Sequence, residues 1–345
     1  MHTLYTISEN ERPVEKVILN ASPQIHSCDG AGVGTIHHPL YPHEKIDLYT
    51  KIKDHIALMR PKQYLKNCFV FAPLFFAMPI DHPELLIRSL LAFLVFSITA
   101  SAVYILNDYG DIETDRLHPK KKFRPLAAGK VSGISALFLS AGLLLTSVAI
   151  CLAFLNTQVL ALILLYLVIN VIYTLKLKHI SLIDIFIIST GFVIRLFVGS
   201  YASGLDLSYS IILMTFLLSL FLAFAKRRDD VLILMETGHK MRKNISGYNL
   251  EFIDSAMSMV SSIILVAYIM YTISPEIIAK HHTDKLYLTS VFVILGILRY
   301  KQITLINKNS GVPTEILLKD KFIQLSIAFW ITSFLLIKYA ARWFI

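Results

Sequence analysis

The sequence predicts an all-α, polytopic membrane protein: about nine transmembrane helices around a central cavity that opens to the cytoplasmic face. Three observations carry this. Mean hydropathy is +0.61 with 55% hydrophobic residues, more than an ordinary soluble domain holds. The apolar residues come in long runs, and a run of about 18–22 residues at 1.5 Å rise crosses a hydrocarbon core of about 30 Å. The charges fall between the runs and gather in alternate loops. A soluble fold would have to bury all these helices on every side at once.

Residues 1–50 are polar, with Gly30, Gly32, Gly34, Pro39, Pro42 and a group of histidines that includes His37, His38 and His43. They read as a flexible cytoplasmic tail. The glycine run lacks the preceding strand and following helix of a phosphate loop, so a linker is the simpler reading. No positive region leads into an apolar core here, so no cleaved signal is expected. Residues 51–345 form the membrane domain, entered through an amphipathic lead-in over 51–66, with Pro61 placed to open the first membrane helix.

The predicted spans are 67–79, 85–105, 134–155, 158–175, 182–202, 210–225, 252–273, 286–298 and 322–337. The second has one charge, Arg88, and the third and fourth have none. About 27 of the 33 Lys and Arg residues precede the first span or lie in the loops after the second, fourth, sixth and eighth. That asymmetry predicts an inner (plasma) membrane protein with its N-terminus and even-numbered loops in the cytoplasm. Topology and phosphate binding account for the net charge of +9, so no nucleic-acid partner is expected. Cys28, Cys68 and Cys151 are isolated in sequence, which predicts neither a zinc site nor a disulfide framework. No repeat of 20–50 residues appears, which excludes a solenoid.

The most informative segment closes the second span: Asn107, Asp108, Asp111 and Asp115. The three aspartates are spaced i, i+3, i+7, within roughly a 60° stripe of one helix face. Carboxylates so placed repel one another unless a cation sits among them. Hard oxygen ligands suit Mg²⁺, which binds one or two carboxylates together with substrate phosphates. Charge this close to hydrocarbon is costly and marks function; the bland alternative is a solvated helix end. His118, Pro119, Lys120, Lys121, Lys122, Phe123, Arg124 and Pro125 follow at once. A diphosphate held between Mg²⁺ and Lys121 or Arg124 would be neutralised from both sides.

A second polar pole follows the fourth span, with Tyr173, Lys176, Lys178 and His179, then Asp184, Gly191 and Arg195 on one stripe of the fifth. Gly191 removes bulk between two charges. Arg195 sits deep in an apolar run and calls for an anionic partner; a ligand-free Asp184–Arg195 or interhelical pair is the plain alternative. Lys226, Arg227, Arg228, Asp229 and Asp230 close the sixth span; taken alone they are a stop-transfer run.

Together these residues resemble the UbiA superfamily of intramembrane prenyltransferases, whose first motif NDxxDxxxD is matched by Asn107, Asp108, Asp111 and Asp115. The chain is most similar to the branch that transfers phosphoribose. HPxKxxRP is matched by His118, Pro119, Lys121, Arg124 and Pro125, and an RPKxxxKN start by Arg60, Pro61, Lys62, Lys66 and Asn67. Lys178, His179, Asp184, Gly191, Phe192, Val193 and Arg195 continue it, as do Lys226, Arg227 and Arg228, then Arg299, Tyr300, Pro313, Thr314, Glu315, Lys319 and Asp320. The resemblance covers about residues 55–340. Prenyl-donor members commonly carry a second DxxxD motif, but the position four after Asp184 is Ile188, which favours the phosphoribosyl branch.

The resemblance implies Mg²⁺-dependent transfer of 5-phosphoribose from 5-phosphoribosyl 1-diphosphate to a polyprenyl phosphate. The acceptor phosphate, with a second pKa near 6, is largely dianionic at pH 7 and needs no general base. Asp108, Asp111 and Asp115 are the expected metal ligands, Asn107 orients them, and Lys121 and Arg124 meet the departing diphosphate. Lys62, Lys66, Lys176, Lys178, Arg195, Lys226, Arg227 and Arg228 are expected to hold the ribose 5-phosphate or the lipid phosphate, without a division between the two. Asp184 holds a ribose hydroxyl or positions Arg195, and Tyr173 belongs to the same lining. The alternatives are prenyl transfer to an aromatic acceptor and, from another class, a transporter.

Overall fold

The computed structural model describes residues 48–77, 82–118, 121–238, 243–306 and 313–343. Residues 46–345 form one compact unit, and the described part is helical throughout, with no strand among the described residues. The tail, with Cys28, its glycine run and its histidines, lies outside the described residues up to residue 47, as do Pro119, Lys120, Lys240 and Arg242. Residues 48–50, assigned to the tail by sequence, already belong to helix α1.

Helix α1 (Leu48–Met59) is followed by a 3-10 segment, Pro61–Phe71, and the short α2 (Ala72–Ala77). Then come α3 (Pro83–Gly110), α4 (Ile112–Arg116), α5 (Gly133–Phe154), α6 (Thr157–Leu175), α7 (Ile183–Ser203) and α8 (Tyr209–Thr237). The chain continues through α9 (Leu250–Thr272), α10 (Pro275–His281), α11 (Ser290–Leu305), α12 (Pro313–Lys319) and α13 (Lys321–Trp343). Eight described helices are long and apolar enough to cross a membrane: α3, α5, α6, α7, α8, α9, α11 with its 3-10 lead-in, and α13. Lipid offers no hydrogen bonds, so a spanning backbone must satisfy itself, which a helix does.

Local chemistry sets the helix ends. Ser132, Asn156, Ser208 and Asn249 accept from the backbone N–H three residues on, capping α5, α6, α8 and α9. Gly204 and Gly238 end α7 and α8 with φ of 71° and 69°, a conformation that side chains with a Cβ rarely adopt.

The expected first span, 67–79, differs from a regular transmembrane helix. Its described part is 3-10 helix to Phe71 and α-helix from Ala72 to Ala77. Arg60, in the left-handed region at φ 55°, ends α1, and Pro61 opens the 3-10 segment rather than an α-helix. Pressure from α7 accounts for close packing here: a Cβ on Gly199 would stand 1.9 Å from the Val70 carbonyl oxygen, so only glycine lets the segment reach α7. The sixth span runs three turns past its predicted end, carrying Lys226, Arg227 and Arg228 inside α8 instead of in a loop.

The bundle has a centre and a rim. Of the apolar window of α3, 61% is buried, and 50% of those of α7 and α8, against 17% for α5 and α6. The polar site is built on the three central helices and the 3-10 segment, while α5 and α6 turn their leucines outward. Cys68 is exposed and Cys151 buried, both free thiols.

Candidate active site

The C-terminal end of α3 supplies the first pole. The helix gives way at Asp111 (φ −105°, ψ 8°) and resumes as α4, so the three aspartates do not share one straight stripe. Asp108 and Asp115, both buried, converge instead on one guanidinium: Arg124 Nη1 donates to Asp108 Oδ1 at 2.9 Å and to Asp115 Oδ2 at 2.6 Å. Arg60 Nη2 donates to the same Asp108 oxygen at 2.5 Å, and Lys121 Nζ lies 3.9 Å from Asp115. Asp111 diverges to Lys178 Nζ at 2.7 Å. Among the described residues no three His, Cys, Asp or Glu side chains converge as a ready-made metal cage.

Two buried carboxylates aimed at a single cationic centre nevertheless fit Mg²⁺. The ion commonly takes one or two carboxylates and completes its octahedron with water and substrate phosphate oxygens. Asn107 does not join the carboxylates; its Oδ1 accepts from Thr174 Oγ1 at 3.2 Å and ties α3 to α6. Burial and the nearby Lys121 charge hold His118 below its ordinary imidazole value.

The second pole does not contain the Asp184–Arg195 pair. Fully buried Asp184 accepts from Arg227 Nε at 2.7 Å and from Tyr248 Oη at 2.7 Å, and Arg227 Nη1 donates to Asp230 at 2.8 Å. Tyr248 Oη in turn accepts from the Leu182 N–H, where α7 begins at φ 68°. Arg227 Nη2 is buried without a hydrogen bond among the described residues, and Tyr173 is half-buried near the end of α6. Arg228 is turned away from this network. Its Nε meets Asp254 at 2.7 Å and its Nη1 the Thr304 carbonyl at 2.8 Å, so it joins α8, α9 and α11. Lys226 is half-buried on the same turn, Lys176 is exposed, and Lys62 is exposed in the 3-10 segment.

Arg195 is held by neutral groups. Its Nε donates to Asn67 Oδ1 at 2.9 Å, Nη1 to the Gly191 carbonyl at 2.6 Å, and Nη2 to Tyr166 Oη at 3.4 Å. Rings of Phe96, Tyr166 and Phe192 surround it, with centroids 4.7, 5.3 and 5.0 Å from the guanidinium carbon. Gly191 makes room for this arrangement: a Cβ there would stand 3.4 Å from Nη1 and 3.6 Å from the Tyr166 ring.

Reasoning from sequence missed Asn67, Tyr166, Asp230 and Tyr248 as members of these networks, and gave Arg60 no role. Arg60 was signalled by its place before Pro61, and Asp230 by the charge run inside α8. Tyr166 and Tyr248 sit in segments with no distinguishing pattern.

A lipid-spanning helical bundle with carboxylates and guanidinium groups gathered at one end has the architecture of an intramembrane transferase. The model of the UbiA prenyltransferase family matches residues 68–330, and the chain belongs to that family of transferases. It is 34% identical over 284 residues to a decaprenyl-phosphate phosphoribosyltransferase of Corynebacterium glutamicum, covering 80% of this chain and 84% of the relative. A protein of the same description from Mycobacterium tuberculosis is 31% identical over 283 residues, covering 81% of this chain and 92% of the relative. Among solved structures, a UbiA homolog from Archaeoglobus fulgidus bound to GPP and Mg²⁺ superposes with a TM-score of 0.60 at 17% identity. That match covers 84% of this chain and 99% of the homolog.

Proposed function

We propose that this transferase moves 5-phosphoribose from 5-phosphoribosyl 1-diphosphate to a polyprenyl phosphate, releasing diphosphate, at the cytoplasmic face of an inner membrane. The observation that carries the reading is the meeting of Asp108 and Asp115 at Arg124, with Arg60, Lys121 and Lys178 around them. The relatives described as decaprenyl-phosphate phosphoribosyltransferases support the transferred phosphoribosyl group and the polyprenyl-phosphate acceptor.

Asp108 and Asp115 would hold Mg²⁺, with Asp111 joining them once freed from Lys178, as the solved homologs bound to Mg²⁺ or Cd²⁺ support. Bound there, the ion supplies Lewis-acid stabilisation of charge on the leaving diphosphate. Arg124 and Lys121 turn from carboxylate to diphosphate oxygens as the donor enters, replacing one ionic partner with another at little electrostatic cost. Lys178 leaves Asp111 in the same way. The reacting bond is C1–O of the ribose, which breaks with the electron pair going to diphosphate while a lipid phosphate oxygen bonds to C1. The acceptor is already dianionic, so no side chain has to remove a proton. Arg227, fixed by Asp184 and Asp230, keeps Nη2 available as a further donor to substrate oxygen.

The test is purified protein with phosphoribosyl diphosphate, polyprenyl phosphate and Mg²⁺, with the lipid product identified by mass. A phosphoribosyl lipid is expected. A second reading, prenyl transfer from a polyprenyl diphosphate, has the support of the homolog bound to GPP. Turnover of that donor with an aromatic acceptor, and none of phosphoribosyl diphosphate, would replace the first reading.

A further inference from the structure

We propose that Lys66 and Arg195 form a phosphate-monoester site, separate from the carboxylate pole and deeper in the bundle. The proposal rests on the phosphoribosyl reading for the names of the substrates but not for the site itself.

Uncompensated charge marks the site. Every basic group at the carboxylate pole described above has an acidic partner: Arg60 and Arg124 on Asp108, Arg124 and Lys121 on Asp115, Lys178 on Asp111. Arg195 has none among the described residues, since its hydrogen-bond partners are a carboxamide, a carbonyl and a phenol. Half-buried Lys66 has no hydrogen bond or ion pair among the described residues. Arg195 and Arg60 are the charges that act on it, both repulsively. Lys66 adjoins Asn67, whose Oδ1 accepts from Arg195 Nε at 2.9 Å, so two cations stand at one contact between the 3-10 segment and α7 with no acidic partner among the described residues, an arrangement that is costly unless an anion completes it.

Depth separates this pole from the first. Arg195 stacks on Phe96, and Asp108 lies twelve residues beyond Phe96 on the continuous α3, about 18 Å further along the helix axis at 1.5 Å per residue. The deep pole is also rigid. Asn67, which accepts from Arg195, donates to Ser97 Oγ at 3.0 Å, and three aromatic rings fix the guanidinium plane. A preformed site of two positive charges matches the −1.5 to −2 charge of a phosphate monoester near pH 7, and the planar guanidinium suits its oxygens. Both proposed substrates carry such a group, the ribose 5-phosphate end of the donor and the head of the lipid acceptor.

The experiment uses the detergent-purified full chain and two probes, ribose 5-phosphate and a short polyprenyl monophosphate, with binding measured calorimetrically for the parent, Lys66→Met and Lys66→Arg. One probe is expected to bind the parent, to lose at least tenfold in affinity with Lys66→Met, and to recover most of it with Lys66→Arg. The probe that responds identifies the source of the phosphate. In turnover, the KM of the corresponding substrate rises while half-saturation by Mn²⁺, read by electron paramagnetic resonance, stays unchanged. Equal affinity of the parent and Lys66→Met for both probes, or binding of neither by the parent, overturns the site. Monoester binding that depends on Lys66, in a protein that makes no phosphoribosyl lipid, overturns the reaction and leaves the site standing.

Discussion

The two poles hold their charges by opposite means. At the end of α3, every cation is paired with a carboxylate, and Arg124 is shared between Asp108 and Asp115. Around Arg195, aromatic faces and neutral oxygens hold a guanidinium without cancelling its charge. Ion pairs can be traded when a charged substrate and its metal arrive, because each released side chain finds a new partner. The caged arginine has nothing to release, so an anion gains its full attraction at no cost in broken pairs. The first pole is suited to a group that comes and leaves, the second to one that is held throughout.

The largest test of this contrast removes a traded carboxylate. Asp115→Asn deletes one of two charges on Arg124 and is expected to lower kcat by about 10²–10³-fold, the scale for losing one electrostatic stabiliser. Diphosphate release measures it, and the protein should still insert and elute as a single species. Asp111→Asn should also abolish most turnover if Asp111 exchanges Lys178 for the metal; full activity of either variant, or activity in excess EDTA, would remove the metal from the proposal.

At the deep pole, Arg195→Lys keeps the charge but loses the fork. Lysine cannot reach Asn67 and Gly191 together, leaving buried acceptors unmatched, at about 1.5–3 kcal/mol for hydrogen bonds to a charged donor. A lower thermal midpoint is expected even without substrate, whereas Asp115→Asn, which leaves Arg124 its bond to Asp108, should lower that midpoint by less. Equal loss of stability in both would erase the distinction between a traded and a fixed pole.

Gly199→Ala probes the deep pole through the backbone. The added methyl would meet the Val70 carbonyl at 1.9 Å and push the 3-10 segment, with Lys66 and Asn67, away from the helix that bears Arg195. Overpacking of this kind costs about 1–3 kcal/mol. Its signature is a raised KM for the monoester-bearing substrate with a modest fall in thermal midpoint.

How much of this was legible in the sequence follows the same division. Hydropathy gave eight spans as described helices, because a lipid-facing segment must be apolar along its length. The charge patterns at Asp108, Asp111, Asp115 and Arg124 stood out because charge is rare next to such runs. What could not be read was partner choice. Asp184 and Arg195 share a helix stripe, yet Asp184 pairs with Arg227 from α8, and helix packing alone decides that. The break at Asp111 was hidden for a like reason, since no proline marks it, and Asp111 meets Lys178 from the start of a later segment. The 3-10 segment has the hydropathy of a regular span, and its close approach to α7 depends on Gly199, 129 residues beyond Val70.

The smallest expected effect concerns pH at the traded pole. His118 lies beside Lys121, and burial with that charge lowers its value from the ordinary 6.5. It is therefore neutral at pH 7 and adds no charge to the diphosphate site. A depressed imidazole resists protonation in the folded protein, so its influence enters only as pH falls below about 6.5 toward its lowered value, where charging it costs stability. Profiles of kcat/KM for the parent and His118→Asn should run parallel from pH 6.5 to 8. They should separate only in more acidic buffer, with the parent falling faster in thermal midpoint. A separation above pH 7 would mean that His118 is charged in the resting protein, and that the charge balance of the carboxylate pole has to be redrawn with one more cation.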